Sequence, residues 1–141
     1  MCIGKTKTDM EEDVQKLLLN FIRGLQIANC DTYLVRPSIT GLQEGRQRSY
    51  VTIGYPNGIE YKGAFAYAEG LITIGTKDKR DALGLPNAGE ITRISNIIRK
   101  AFPYLSDDYS LLDFEFSSDD SDGMGWHEYY YSFHIYINKS N

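Results

Sequence analysis

At 141 residues the chain is long enough for one domain with its own core and too short for two ordinary ones. Its 42% hydrophobic and 24% charged residues are the balance of a globular domain, and a formal charge of −4 argues against a general nucleic-acid binder. Cys2 and Cys30, the only two cysteines, supply neither a disulfide framework nor a metal-ligand spacing.

No stretch approaches about 18 consecutive apolar residues, so no membrane span is expected. No apolar run follows the first lysines, so no secretory signal is expected either. The composition departs from the ordinary in its 11 tyrosines and 6 phenylalanines. Such rings, apolar with a polar tip in tyrosine, suit half-buried sheet faces and protein interfaces.

In chain order, residues 1–8 form a short flexible leader ahead of a single domain spanning 9–138. Thr8-Asp9-Met10-Glu11 fits a capping box. Met10, Val14, Leu17, Leu18, Phe21, Ile22 and Leu25 follow at spacings of three and four, which predicts an amphipathic helix over 9–28. Thr32 to Val35 is a short strand stopped by Pro37, and 38–47 is a polar, glycine-punctuated loop. Arg48 to Tyr55 alternates as a strand. Pro56-Asn57-Gly58 predicts a tight turn that Ile59 to Tyr61 continues as a hairpin. Residues 64–75 form another extended run, in which Gly70 predicts a bulge or bend.

Thr76 to Pro86, with five charged residues between Lys77 and Asp81, reads as an exposed connection. Asn87 is a second cap, and Ile91, Ile94, Ile97, Ile98, Ala101 and Phe102 predict a helix over 88–102 closed by Pro103. Leu112, Phe114 and Phe116 then alternate against Leu111, Asp113 and Glu115 as a half-buried strand. A polar, acidic turn over 117–125 leads into Trp126 to Ile137, the strongest strand pattern in the chain. Its apolar set is Tyr129, Tyr131, Phe133, Ile135 and Ile137, and its second set includes Glu128, Tyr130, His134 and Tyr136. The class is α+β: a mixed, mainly antiparallel sheet packed against two helices.

Candidate chemistry is sparse. His127 and His134 fall on opposite faces of one strand and cannot share a metal. The run Asp119-Asp120-Ser121-Asp122-Gly123 begins its would-be calcium loop on a serine and lacks the closing glutamate. Glu115 and Glu128 are placed to oppose each other across the last hairpin, as ordinary surface charges. No cofactor, metal or catalytic residue is expected, and the protein is read as not an enzyme. Arg36, Arg46 and Arg48 flank a loop that could grip an anionic partner.

Residues 70–137 resemble the tail-terminator (tail-completion) proteins of long-tailed bacteriophages and their neck-protein relatives. The likeness runs through the Gly70-Leu71-Ile72-Thr73-Ile74 strand, a charged glycine-containing loop, and a helix closing on Arg99-Lys100-Ala101-Phe102-Pro103. It continues through the strand at Leu111 to Phe116 and the Gly-Met-Gly-Trp turn into an aromatic last strand. The resemblance implies a non-enzymatic virion protein, assembled in the host cytoplasm. It would form a hexameric ring that caps the tail tube and joins the connector, with no membrane and no sequence-specific nucleic acid as partner. The expected subunit contacts pair Arg46 and Arg48 with Tyr130, Tyr136 and an acidic turn at Asp119, Asp120 and Asp122. The alternative is a small acidic immunity or inhibitor protein that neutralises a basic partner.

Overall fold

The computed structural model describes residues 7–33, 48–79, 85–123 and 125–138. The elements are helix α1 (Lys7–Gly24), strands β1 (Cys30–Tyr33), β2 (Ser49–Gly54), β3 (Ile59–Lys62) and β4 (Phe65–Lys77), helix α2 (Ala88–Lys100), and strands β5 (Tyr104–Leu105), β6 (Tyr109–Ser121) and β7 (Trp126–Asn138). They make an α+β fold with one mixed sheet of seven strands, curled into a half-barrel. The sheet order is β1-β2-β4-β7-β6-β5, with β3 also pairing β4; β1 and β2 are parallel and every other pair is antiparallel.

The spine of the sheet is β4 against β7, paired without interruption from Phe65↔Asn138 to Lys77↔Trp126. Directly opposed residues share a face. One face therefore carries Ala66, Ala68, Ile72 and Ile74 of β4 with Tyr129, Tyr131, Phe133 and Ile135 of β7. This is the core face: one hydrophobic cluster joins it to Val14, Leu18, Phe21 and Ile22 of α1 and to Ile91, Ile94 and Ile98 of α2. The opposite, outer face carries Phe65, Tyr67, Glu69, Leu71, Thr73 and Gly75 opposite Asn138, Tyr136, His134, Ser132, Tyr130 and Glu128.

Several expectations are corrected by this architecture. Helix α1 starts at Lys7, inside which Thr8 cannot be the cap, and ends at Gly24 instead of Ala28. The Leu25 and Gln26 amides donate back to Ile22 and Arg23, and Gln26 and Asn29 take positive φ, so the chain leaves the helix before its apolar spacing runs out. Strand β1 opens at Cys30, two residues before the expected start at Thr32; Leu34 and Val35 lie outside the described residues.

Pro56-Asn57-Gly58 does form a turn, with the Gly58 amide donating to Tyr55 O at 3.1 Å and Gly58 at φ 77°. It does not make a hairpin. Strands β2 and β3 both pair with β4, one after the other along the same edge: Gly54↔Leu71 ends one stretch and Ile59↔Ala68 begins the next. The hairpin lies one turn later, between β3 and β4. There Gly63 at φ 68° occupies the first of two loop positions, where a tight turn admits glycine without strain.

Gly70 is not a bulge, because the register runs straight through it. It is opposite Phe133, whose ring lies so close that a Cβ at Gly70 would come within 2.2 Å of it. The residue is glycine because an aromatic ring from the next strand needs its space. The alternation expected for β6 also shifts. Leu111 is the fully buried residue of the strand, and Asp113, at φ 61°, sits in a bulge between Leu112 and Glu115. That irregularity reverses the phase, so Phe114 and Phe116 reach the core-side rings, Phe114 stacking on Tyr131 at 4.8 Å.

Candidate assembly surfaces

Among the described residues, besides the short edge left by β3, which pairs only β4, the main strand order ends in two edges. At one, β1 has a strand neighbour only in β2. At the other, β5 pairs only Ser110 and Leu111 of β6, which leaves β6 from Leu112 to Ser121 without a neighbour on that side. Unpaired strand edges present rows of backbone donors and acceptors and are natural pairing surfaces.

The registers chain together across the sheet. Asp31 of β1 opposes Tyr50 of β2, Tyr50 opposes Gly75 of β4, Gly75 opposes Glu128 of β7, and Glu128 opposes Asp120 of β6. One transverse row therefore links the two edges over four strand spacings, about 19 Å along the sheet. A buried hydrogen bond runs inside it. The Tyr50 ring lies across Gly75, where a Cβ would come within 2.1 Å of it, and the hydroxyl donates to Glu128 Oε2 at 2.9 Å. Tyr130 reaches the other oxygen of Glu128 at 3.5 Å. Trp126 packs on Tyr50 at 5.9 Å, and Tyr33 flanks it. The expected Glu115–Glu128 pair does not occur: Glu115 opposes Ser132, and Glu128 is a buried acceptor, not a surface charge.

At the β1 end of the row, Arg48 Nε stands 3.6 Å from Asp31 Oδ1, both side chains partly exposed. At the β6 end, Asp120 is exposed and has no ion-pair partner among the described residues. The expected acidic turn is corrected here. Strand β6 extends to Ser121, so Asp119 and Asp120 are strand residues; Asp119 opposes Tyr129 on the core face while Asp120 lies on the outer face. Asp122 closes the tip: its carboxylate accepts from the Trp126 amide at 3.1 Å and its amide donates to Trp126 O at 3.0 Å.

Tyr130 and Tyr136 share the outer face but not a patch. Six residues separate them, about 20 Å along the strand, and Tyr136 packs instead at a tilt against Tyr67 at 5.2 Å and Phe65 at 6.1 Å. Arg46 lies outside the described residues.

The stretch from Thr76 to Pro86, expected to be an exposed charged connection, begins inside β4 and hides two buried groups. Thr76 is fully buried with no hydrogen-bond partner for its hydroxyl among the described residues, and Asp78 is 6% exposed and accepts from the ring of His127. The Asp78 amide donates to Gly125 O at 2.8 Å, which ties the end of β4 to the β6–β7 tip. The lysines and arginine around Asp78 masked this role in the sequence. At the N-terminus of α2, Asn87 Oδ1 accepts from the Glu90 amide, and Glu90 accepts from Arg93 Nε at 2.6 Å and Ser49 Oγ at 3.0 Å. The Arg93 hydrogen bond holds the Glu90 carboxyl below its ordinary value, and burial pushes the Cys30 thiol up to about 12. A thiol so raised is a poor nucleophile.

Among the described residues no three His, Cys, Asp or Glu side chains converge to hold a metal ion, and no helix is long and apolar enough to cross a membrane. No protein-family model matches the chain, and no curated protein matches it significantly.

Proposed function

We propose that the protein is a non-enzymatic structural subunit that joins edge to edge into a closed ring, the tail-terminator or neck role its order of elements resembles. One juxtaposition carries the reading: the Arg48–Asp31 ion pair and the exposed Asp120 end the same transverse row on the two edges of one curled sheet. Arg48 stands beside Asp31 at the β1 end of a transverse row, and Asp120 ends that row at β6.

Strands β1 and β6 run in opposite directions, so β1 of one copy beside β6 of the next forms an antiparallel pair. The two edges differ, so the contact is heterologous. Joining them at one level adds no displacement along the strands, and the curl supplies the turn from copy to copy. Those are the conditions for a ring instead of an open filament. In this reading both helices pack together on the core face and leave the edges clear. The ring is a hexamer located in the virion between the tail tube and the connector.

Light scattering and native mass spectrometry on the purified chain, alone and with added tail-tube protein, test it. A ring is expected. Arg48→Glu and Asp120→Lys should each weaken association about tenfold or more, and the combined swap should restore it. A strict monomer under both conditions overturns the reading. It would favour an inhibitor of a basic partner, which the exposed Asp113, Glu115, Asp119 and Asp120 of β6 would suit.

A further inference from the structure

The core face differs at the β1 and β6 edges. At the β1 edge, Ile22 and Arg23 of α1, with Gln26 and Ile27 just after it, face the whole length of β1 across an open groove of about 350 Å³. Ile22 and Ile27 give the groove an apolar inner wall, continuous with the core cluster. Arg23 stands exposed at its mouth, with no ion-pair partner among the described residues. The carboxylate of Asp31 on the strand already lies beside Arg48.

At the β6 edge the same face carries a ring and a carboxylate. Phe116 is 52% exposed and touches only the side of Tyr129 and Tyr131, at 6.1 and 5.6 Å. Asp119 is exposed, again with no ion-pair partner among the described residues. The register shift between Phe116 and Ser118 puts these two residues, one even and one odd, on one face. The registers also bring them level with the groove. Asp119 opposes Tyr129, Tyr129 opposes Ile74, Ile74 opposes Val51, and Val51 opposes Thr32 in the groove wall. Phe116 maps through Tyr131 and Ile72 to Ile53, one residue past the partner of Tyr33, a further 3.3 Å or so along the strand.

We propose that the groove receives Phe116 of the neighbouring copy, while Arg23 donates to Asp119 of that copy; this contact rests on the ring reading above. A large ring seated in a pocket between two elements is the usual anchor of a protein contact. The charge at the mouth of the groove is positive, and the edge that would meet it brings a negative one. A basic peptide would be repelled by Arg23, and an acidic one would leave the apolar wall unfilled. This contact lies on the core face, whereas Arg48 and Asp120 meet on the outer one, so the two can be perturbed separately.

The test replaces Phe116→p-benzoylphenylalanine in the full chain, irradiates the assembled protein and maps the crosslinked peptides by mass spectrometry. Crosslinks are expected to residues 22–33 of a second copy. In parallel, light scattering follows association of three variants. Phe116→Ala should weaken it about tenfold or more. Arg23→Glu and Asp119→Lys, at exposed positions that leave the core untouched, should each weaken it, and the combined swap should restore it. A ring that assembles equally well with all three variants, or whose crosslinks fall outside residues 22–33, overturns this contact and leaves the ring standing. Crosslinks to added tail-tube protein overturn it as well, since that protein would then be the occupant of the Phe116 surface. A strict monomer overturns the ring and this contact together.

Discussion

Replacing Gly70 with alanine tests the central pairing of the sheet. The glycine does not take a positive φ, so alanine can adopt its backbone, and the whole penalty comes from the ring above it. The new Cβ would lie 2.2 Å from Phe133 Cζ, 2.3 Å from Cε1 and 2.5 Å from Cε2, against about 3.5–4.0 Å for carbon atoms in good contact. Phe133 cannot easily withdraw. It is fully buried, with Phe102 edge-on at 5.5 Å. Overpacking of this kind costs about 1–3 kcal/mol. Removing a glycine from the unfolded chain offsets about 0.4–1 kcal/mol of that. The net expectation is a loss of up to about 2.6 kcal/mol, measured as the shift of the urea midpoint at unchanged slope. In a Phe133→Leu background the ring is gone and Gly70→Ala should become more favourable by about 1 kcal/mol or more, the coupling between the two sites. If Gly70→Ala changes stability equally in both backgrounds, Gly70 does not lie beneath Phe133 and the register of β4 on β7 is wrong.

Leu18→Ala and Phe133→Ala should each cost about 2–5 kcal/mol, since both side chains are fully buried in one cluster; midpoints equal to wild type would place them on the wrong faces. Acid should remove a stabilising contribution from Glu90, whose carboxyl is lowered by its hydrogen bond from Arg93. A folded value below the unfolded one means the contribution is complete above the unfolded value near 4.5 and is lost as pH falls through the folded one. With the pair partly exposed its size is about 1 kcal/mol or less, so the stability gap between wild type and Glu90→Gln should be constant above about pH 5 and narrow below it. A gap that does not change with pH would remove the ion pair from the account.

The parts of the fold legible in the sequence were those with a local period. The stripe from Met10 to Leu25, the isoleucines of α2 and the two-residue alternation of β7 each declare an element and its buried face, because burial repeats within the element itself. What pairs with what was not legible. Pro56-Asn57-Gly58 looks the same whether it closes a hairpin or interrupts an edge, since the turn chemistry is local and the partner strand is not. Gly70 and Gly75 are empty for rings that approach from Phe133 and Tyr50, distant in sequence, so their cause could not be read beside them. Asp78 hid among lysines, and Asp113 reversed the phase of β6 by adopting a backbone conformation that no hydrophobic count detects. Of the candidate contacts, the charges were visible as residue types. Their placement on opposite edges and at one level came only from the chained registers.

In the proposed ring, association between copies would depend on charge at Arg48 and Asp120. The Asp31–Asp120 row crosses β7 at Glu128, and Tyr136 lies eight residues and about 26 Å farther along the same strand. Exposed charges at that distance are screened from one another at ordinary ionic strength, where the Debye length is about 8–10 Å. The intervening strand is paired on both sides, so neither end can shift without disturbing the core. Tyr136→Ala should therefore leave association unchanged, and a loss of assembly from that substitution would extend the proposed contact to the far end of the outer face.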